Sequence, residues 1–425
     1  MMGKSRPALA LAVLAFWAFA FPFFAAADLL LEGPEFQVNS STQLRQFRPD
    51  VADLPGGGFL VAWAHEQGAN YRFHIRYFDS SGTPTTGELL GAFTDRFEYI
   101  DGPVIDTDAG GASVLAYDTN PLLTDLDPRV VYCRLDASGI QLNCSVPSGT
   151  DDAHLLSGLA VAADGSFVVS WYNAGNLPEG EGVFWRFVDS NGVESDRLVR
   201  WDPTRGAPDV TAVPGGGFYL AYGLNGVVDL QRLAVDGTPL GPVVTLNEVA
   251  DPRVCTLRVR AQPGAALLTW GLPRTGTTLD QLMGQRLGGS DQPLGPPFPL
   301  NLLPLSQRDY HSYDLEVLPS GEFVVVWARA SSTGGPGNIY ARHFRPDGVP
   351  FSGEVLVNPS DFGDEQRPRI AVTGADTLVV VWENLDGQDG DEEGVFAQRV
   401  RVVRPQLFGD DFESGDTSSW TATLP

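Results

Sequence analysis

Pro55-Gly56-Gly57-Gly58-Phe59-Leu60-Val61-Ala62-Trp63 is a glycine turn running into an apolar stretch that ends on an aromatic ring. It returns as Pro214-Gly215-Gly216-Gly217-Phe218-Tyr219-Leu220-Ala221-Tyr222 and again as Pro319-Ser320-Gly321-Glu322-Phe323-Val324-Val325-Val326-Trp327. Fainter copies run from Gly110-Gly111 to Tyr117, from Asp164-Gly165 to Trp171, from Pro263-Gly264 to Trp270 and from Ala375-Asp376 to Trp382. Anchored on the terminal aromatic, the seven copies lie 48 to 57 residues apart. A period of that size demands a repeat architecture before any other reading.

Each copy resolves into four short strands. A first segment, often opened by proline as in Pro49-Asp50-Val51, precedes the glycine turn and the anchor strand. A third strand follows a variable connection, as in His74-Ile75-Arg76-Tyr77-Phe78, and ends in a second turn such as Asp79-Ser80-Ser81-Gly82. A fourth closes the unit, as in Gly353-Glu354-Val355-Leu356-Val357-Asn358. Short β-branched and aromatic runs between Gly, Asp and Pro turns are antiparallel hairpin chemistry. Four strands, seven times, predicts an all-β fold: a seven-bladed β-propeller of four-stranded antiparallel blades. A string of β-sandwiches is the competing architecture, but the period is about half a sandwich domain. Glu35-Phe36-Gln37-Val38-Asn39 resembles the fourth strand of the sixth copy, whereas the seventh copy lacks one after Val395–Val400. Residues 35–39 are therefore expected to supply the outer strand of the last blade and close the ring.

Composition agrees. Of 425 residues, 48 are Gly and 32 are Pro, spread along the chain, and only 19% are charged. The formal charge is −25, so phosphate backbones and anionic membranes are poor partners and no nucleic acid is expected. Lys4 is the only lysine, which leaves no amine for Schiff-base or phosphate-loop chemistry once the leader departs.

Lys4 and Arg6, the apolar run from Ala8 to Phe24 and Ala25-Ala26-Ala27 together read as a cleaved signal peptide, with an uncleaved anchor helix as the alternative. The chain divides into that leader at 1–27, the propeller at 28–404 and an acidic tail at 405–425. No transmembrane segment is expected after cleavage, and the protein reads as a monomer that is secreted, periplasmic or held at the cell surface. If Asp136 pairs with Gln141, Cys133 lies opposite Cys144, and an oxidising compartment favours a disulfide there. Cys255 then reads as a small core residue.

With its G-G-F-apolar-V-x-W core and the strand Gly394-Val395-Phe396-Ala397-Gln398-Arg399, the repeat resembles the uncharacterised propeller repeats of exported bacterial proteins. The likeness covers residues 35 to about 402, with copies two and five departing from it. The ending Phe412-Glu413-Ser414-Gly415-Asp416-Thr417-Ser418-Ser419-Trp420 resembles a short acidic tail of secreted Gram-negative proteins. Neither resemblance implies an activity.

Motifs for chemistry are sparse. There is no G-x-S-x-G, and His65-Glu66 lacks the second histidine of a zincin. The five histidines read as lying in different repeats without metal-ligand spacing, hence as core or surface residues. Asp386, Asp389 and Asp391 form an acidic, glycine-kinked loop that suits calcium; a solvated turn is the competing reading, and no other cofactor is expected. The positions equivalent to Asp50 are Val104, Leu159, Asp209, Arg258, Asp314 and Arg369. In a ring these charges converge on the channel mouth, either as a ligand site or, preferably, as ion pairs between blades. The leading function is a secreted, non-enzymatic binding propeller for a glycan, peptide or surface partner. A glycan-cleaving hydrolase or lyase using Asp50, Asp209 and Asp314 is the first alternative, and a structural envelope protein the second.

Overall fold

The computed structural model describes residues 29–404 apart from 69, 91–101, 120–128, 147–153, 174–181, 196–197, 202–207, 225–226, 249–256, 263, 274–278, 306–312, 331–335 and 360–362. The expected leader at 1–27, the expected tail at 405–425, Cys255 and most of the variable connections lie outside the described residues.

Each glycine turn folds back a hairpin. In the first copy Leu54 donates to the Gly58 carbonyl at 2.9 Å and Gly57 to the Leu54 carbonyl at 3.1 Å. Glycine is required at position 58 for lack of space: a Cβ there would stand 2.6 Å from the Phe78 carbonyl oxygen of the third strand. Gly217 repeats the approach, 2.5 Å from the Leu233 carbonyl, with φ of +83°. At the second turn the Asp79 carboxylate accepts the Ser81 and Thr83 N–H groups at 2.8 and 2.9 Å, and Asp136 and Asp189 do the same in their blades.

The hairpins join into seven four-stranded antiparallel sheets. The inner strands, from blade 1 to blade 7, are Gln46–Asp53, Val104–Thr107, His154–Val161, Asp209–Ala212, Leu257–Gln262, Tyr313–Val317 and Glu365–Val372. Pro49 and Pro368 do not open their strands; each sits in a β-bulge inside one, where a missing N–H is tolerated.

The core lies between blades. Seven apolar clusters each join two neighbours, and every anchor aromatic packs toward the preceding blade: Trp63 against blade 7, Tyr117 against blade 1, and so on to Trp382 against blade 6. Both faces of the anchor strands are thereby buried, which is why their sequences are apolar at consecutive positions.

Blade 7 takes its outer strand from the other end of the chain. Leu29–Gln37 runs antiparallel to Gly394–Val402, with Phe36 opposite Ala397 and Gln37 opposite Phe396, and Val38 donates to the Val395 carbonyl at 2.8 Å. The likeness of Asn39 to Asn358 has a reason. Asn39 accepts the Val395 N–H at 2.9 Å, and Asn358 accepts that of Ile339 at 2.7 Å, one bond in two blades. The closing strand also extends past the expected residues, back to Leu29.

A four-stranded meander fixes the faces. The two tight turns of each blade open on one face; the second-to-third connections and the links between blades join strand ends on the other, where the inner strands begin.

Candidate functional site: the axial channel

The seven inner strands enclose a cavity of about 260 Å³ on the ring axis. Two tiers of side chains line it, because alternate residues of a strand share a face. Ladder register defines the upper tier as Asp50, Val104, Gly158, Asp209, Arg258, Asp314 and Arg369, each opposite the residue before an anchor aromatic. Gly158 therefore replaces Leu159 in the expected set. Blade 3 has the same turn length as blade 1, so the same offset holds. A Cβ on Gly158 would lie 2.8 Å from Ser170 Oγ and 3.1 Å from the Val210 nitrogen of the next blade. Leu159 instead joins the apolar cluster between blades 2 and 3.

Two residues further along lies a lower tier that includes Asp106, Thr211, Arg260 and Glu316. Aligning one position per repeat missed it; applying the two-residue strand period to the same alignment would have found it.

Most of these charges are committed to one another. Arg260 donates to Asp209 at 3.0 Å, Asp314 at 3.1 Å and Glu316 at 2.8 Å. Arg258 lies 3.6 Å from Asp314, and Arg369 lies 3.6 Å from Asp50. Burial alone would lower the Arg260 guanidinium, but Glu316, Asp209 and Asp314 hold it above its ordinary value. Burial lowers Arg369, with Arg258 adding to the effect.

Four acids also clasp the next blade. Asp50 accepts the Ile105 N–H at 2.8 Å, Asp106 that of Val161 at 2.7 Å, Asp209 that of Val259 at 2.8 Å and Asp314 that of Ile370 at 3.3 Å. Burial pushes Asp50 up to about 6 against the pull of Arg369. It pushes Asp106 to about 7 against the Val161 and Thr107 N–H groups, and Glu316 to about 7 against Arg260.

The acidic loop has another arrangement than a cage. Asp389 accepts the Asn39 side-chain amide at 2.8 Å and Asp391 accepts the Leu44 N–H at 2.8 Å, while the Asp386 N–H bonds to Asn384 at 3.1 Å. Among the described residues no three His, Cys, Asp or Glu side chains are grouped to hold a metal ion. The loop grips the segment that follows the closing strand.

Cys133 lies opposite Cys144 and the two are joined, S–S 2.01 Å. The turn register differs from the expected one. A bulge sets Leu135, not Asp136, opposite Gln141, since Asp136 folds into the turn and bonds Ile140 at 2.9 Å. The histidines are likewise not all separate. His65 and His74 occupy adjacent strands of blade 1, with ring centroids 4.7 Å apart.

These features define a class: a closed seven-bladed β-propeller with an ionic axial channel. A protein of unknown function from Dyadobacter fermentans is similar in fold, with a TM-score of 0.55 at 11% identity over 89% of this chain and 100% of that one. An α-L-arabinanase of Penicillium chrysogenum, solved with arabinobiose, aligns at TM-score 0.46 and 13% identity over 87% of this chain and 98% of its own. A polysaccharide lyase aligns at 0.45 and 12% over 71% and 78%. No protein-family model and no curated protein matches the chain.

Proposed function

We propose that this chain is an exported, non-catalytic binding propeller that presents its variable connections to an extracellular glycan or protein. The observation that carries this reading is the state of the channel acids: Asp50, Asp209 and Asp314, the repeat-equivalent candidates for sugar hydrolysis, are all paired with arginine and bonded to the next blade. Glycoside cleavage needs two carboxyls at a set separation, one free to give a proton and one to attack or activate water. Acids tied in this way support a fold. Variable segments meeting on one face of a rigid frame are, conversely, a common design for recognition. An oxidising destination is part of the proposal, supported by the leader-like residues 1–27 and the Cys133–Cys144 bond.

One observation favours a second reading, a hydrolase or lyase. Asp106 faces the cavity and titrates near 7, where a general acid works. The test is an array of glycans and extracellular-type peptides probed with the mature protein, with and without calcium. Saturable binding supports the proposal, and an array with no binder under either condition rejects it.

A further inference from the structure

Residues 38–45 carry the chain from the closing strand of blade 7 to the inner strand of blade 1, and both blades grip them. Blade 7 does so through Asn39, Asp389 and Asp391, as described above. Blade 1 uses Glu88. One of its oxygens accepts the Ser40 N–H, the Ser40 hydroxyl at 2.9 Å and the Ser41 N–H at 2.9 Å. Its other oxygen lies 3.2 Å from His74 Nδ1. His74 Nε2 lies 3.3 Å from His65 Nδ1, and His65 Nε2 lies 3.1 Å from the Gln43 carbonyl. Both rings are buried.

Counting protons shows what this chain needs. The Gln43 carbonyl and an ionised Glu88 can only accept, so each end demands an N–H, and the contact between the rings takes a third. Two neutral imidazoles carry two protons. The chain is therefore complete only with one imidazolium. Against the upward push of burial, the His74, Ser41 and Ser40 contacts hold Glu88 at about 2, so the extra proton belongs to the rings. Burial lowers His65, with His74 adding to the effect, and His74 is the ring beside the carboxylate. Arg72 stands opposite His65 across the ladder, Arg76 donates to the Val38 carbonyl at 2.7 Å, and Arg45 pairs with Glu393 at 2.7 Å.

We propose that His65, His74 and Glu88 form a proton-loaded latch that seats residues 40–43 at the ring seam and releases one of its contacts when the proton departs at higher pH. This device is independent of what the loop face binds. It makes the seam between blades 7 and 1 responsive to pH on the face that carries the connections.

Hydrogen exchange by mass spectrometry on the full mature chain, corrected for intrinsic rates, tests it. Between pH 6 and pH 9, peptides covering residues 38–46 should lose about tenfold more protection than those covering Phe323–Ala330, which follow the stability of the whole ring. In His74→Phe the step should vanish. An unchanged protection, or an equal step in His74→Phe, overturns the proposal. Nitrogen-15 histidine NMR of the wild-type chain gives a reading that needs no variant. A doubly protonated ring at pH 6 that loses one proton by pH 9 supports the latch, and two singly protonated rings at pH 6 overturn it.

Discussion

The Asp50 carboxylate crosses a blade boundary to accept the Ile105 N–H at 2.8 Å, while its other oxygen faces Arg369 of the blade on its opposite side. One side chain thus ties three consecutive blades around the seam, whereas Asp209 ties blade 4 to blade 5 alone, through Val259 and Arg260. Asp209→Ala leaves a buried N–H and a buried guanidinium short of a partner, so it should cost about 3 kcal/mol of stability. Asp209→Asn keeps an acceptor for Val259 and should cost less. Urea unfolding of both variants checks the order.

Stability should favour mild acid. Burial raises Asp50 to about 6, Asp106 and Glu316 to about 7, and Glu365, with Glu35 adding, to about 8. Each binds its proton more tightly folded than unfolded, so its contribution is whole below the ordinary carboxyl range and is lost as pH rises through these values. Glu88, held at about 2, acts in the opposite sense: its contribution is present above the ordinary range and lost as pH falls toward 2. Melting temperature should peak at about pH 4 and fall from there to about pH 8. Glu365→Gln should flatten the fall between about 4.5 and 8, its share of the titration. Thermal melts at constant ionic strength measure both.

The closing strand should hold the ring together. Phe36 packs on Phe59 and Phe78, with centroids 6.5 and 5.8 Å apart, so Phe36→Ala should cost about 2 kcal/mol, the half-buried ring placing it below the usual range for such a truncation. Deleting residues 29–37 bares the edge of Gly394–Val402. Light scattering on a sizing column should then find oligomers where the full chain gives a single species.

Breaking the disulfide should have a local effect. Cys133 and Cys144 are 11 residues apart, and opening so short a loop costs about 2 kcal/mol. Cys144 is on the exposed outer strand Gln141–Ser145 of blade 2, away from the channel. Cys144→Ser should lower the melting temperature and leave array binding unchanged.

Most of the fold was legible because a propeller repeats one set of steric demands. Trp63 and its counterparts each fill an interface with the preceding blade, and Gly58 is forced by a carbonyl, so both recur in the sequence. The Asn39 likeness exposed the closing strand for the same reason: it makes the bond that Asn358 makes. The channel was only half legible. The two-residue strand period points to the positions of Asp106, Arg260 and Glu316, but their residue types vary from blade to blade, and only the folded ring shows that Arg260 pairs with Glu316 of the next blade. Nor did any motif couple His74 to Glu88, which meet only once the third and fourth strands of blade 1 pair, or Asp391 to Leu44, which meet only when the ring closes.

On the proposed function, the channel carboxyls serve the fold and perform no chemistry. Its most direct test replaces Asp50, Asp106 and Glu316 one at a time by their amides, and measures melting temperature together with cleavage of an oligosaccharide panel. The account predicts a shifted melting temperature in every variant and intact oligosaccharides with every protein, wild type included. Turnover by the wild type that disappears in Asp106→Asn while the melting temperature stays unchanged would contradict it.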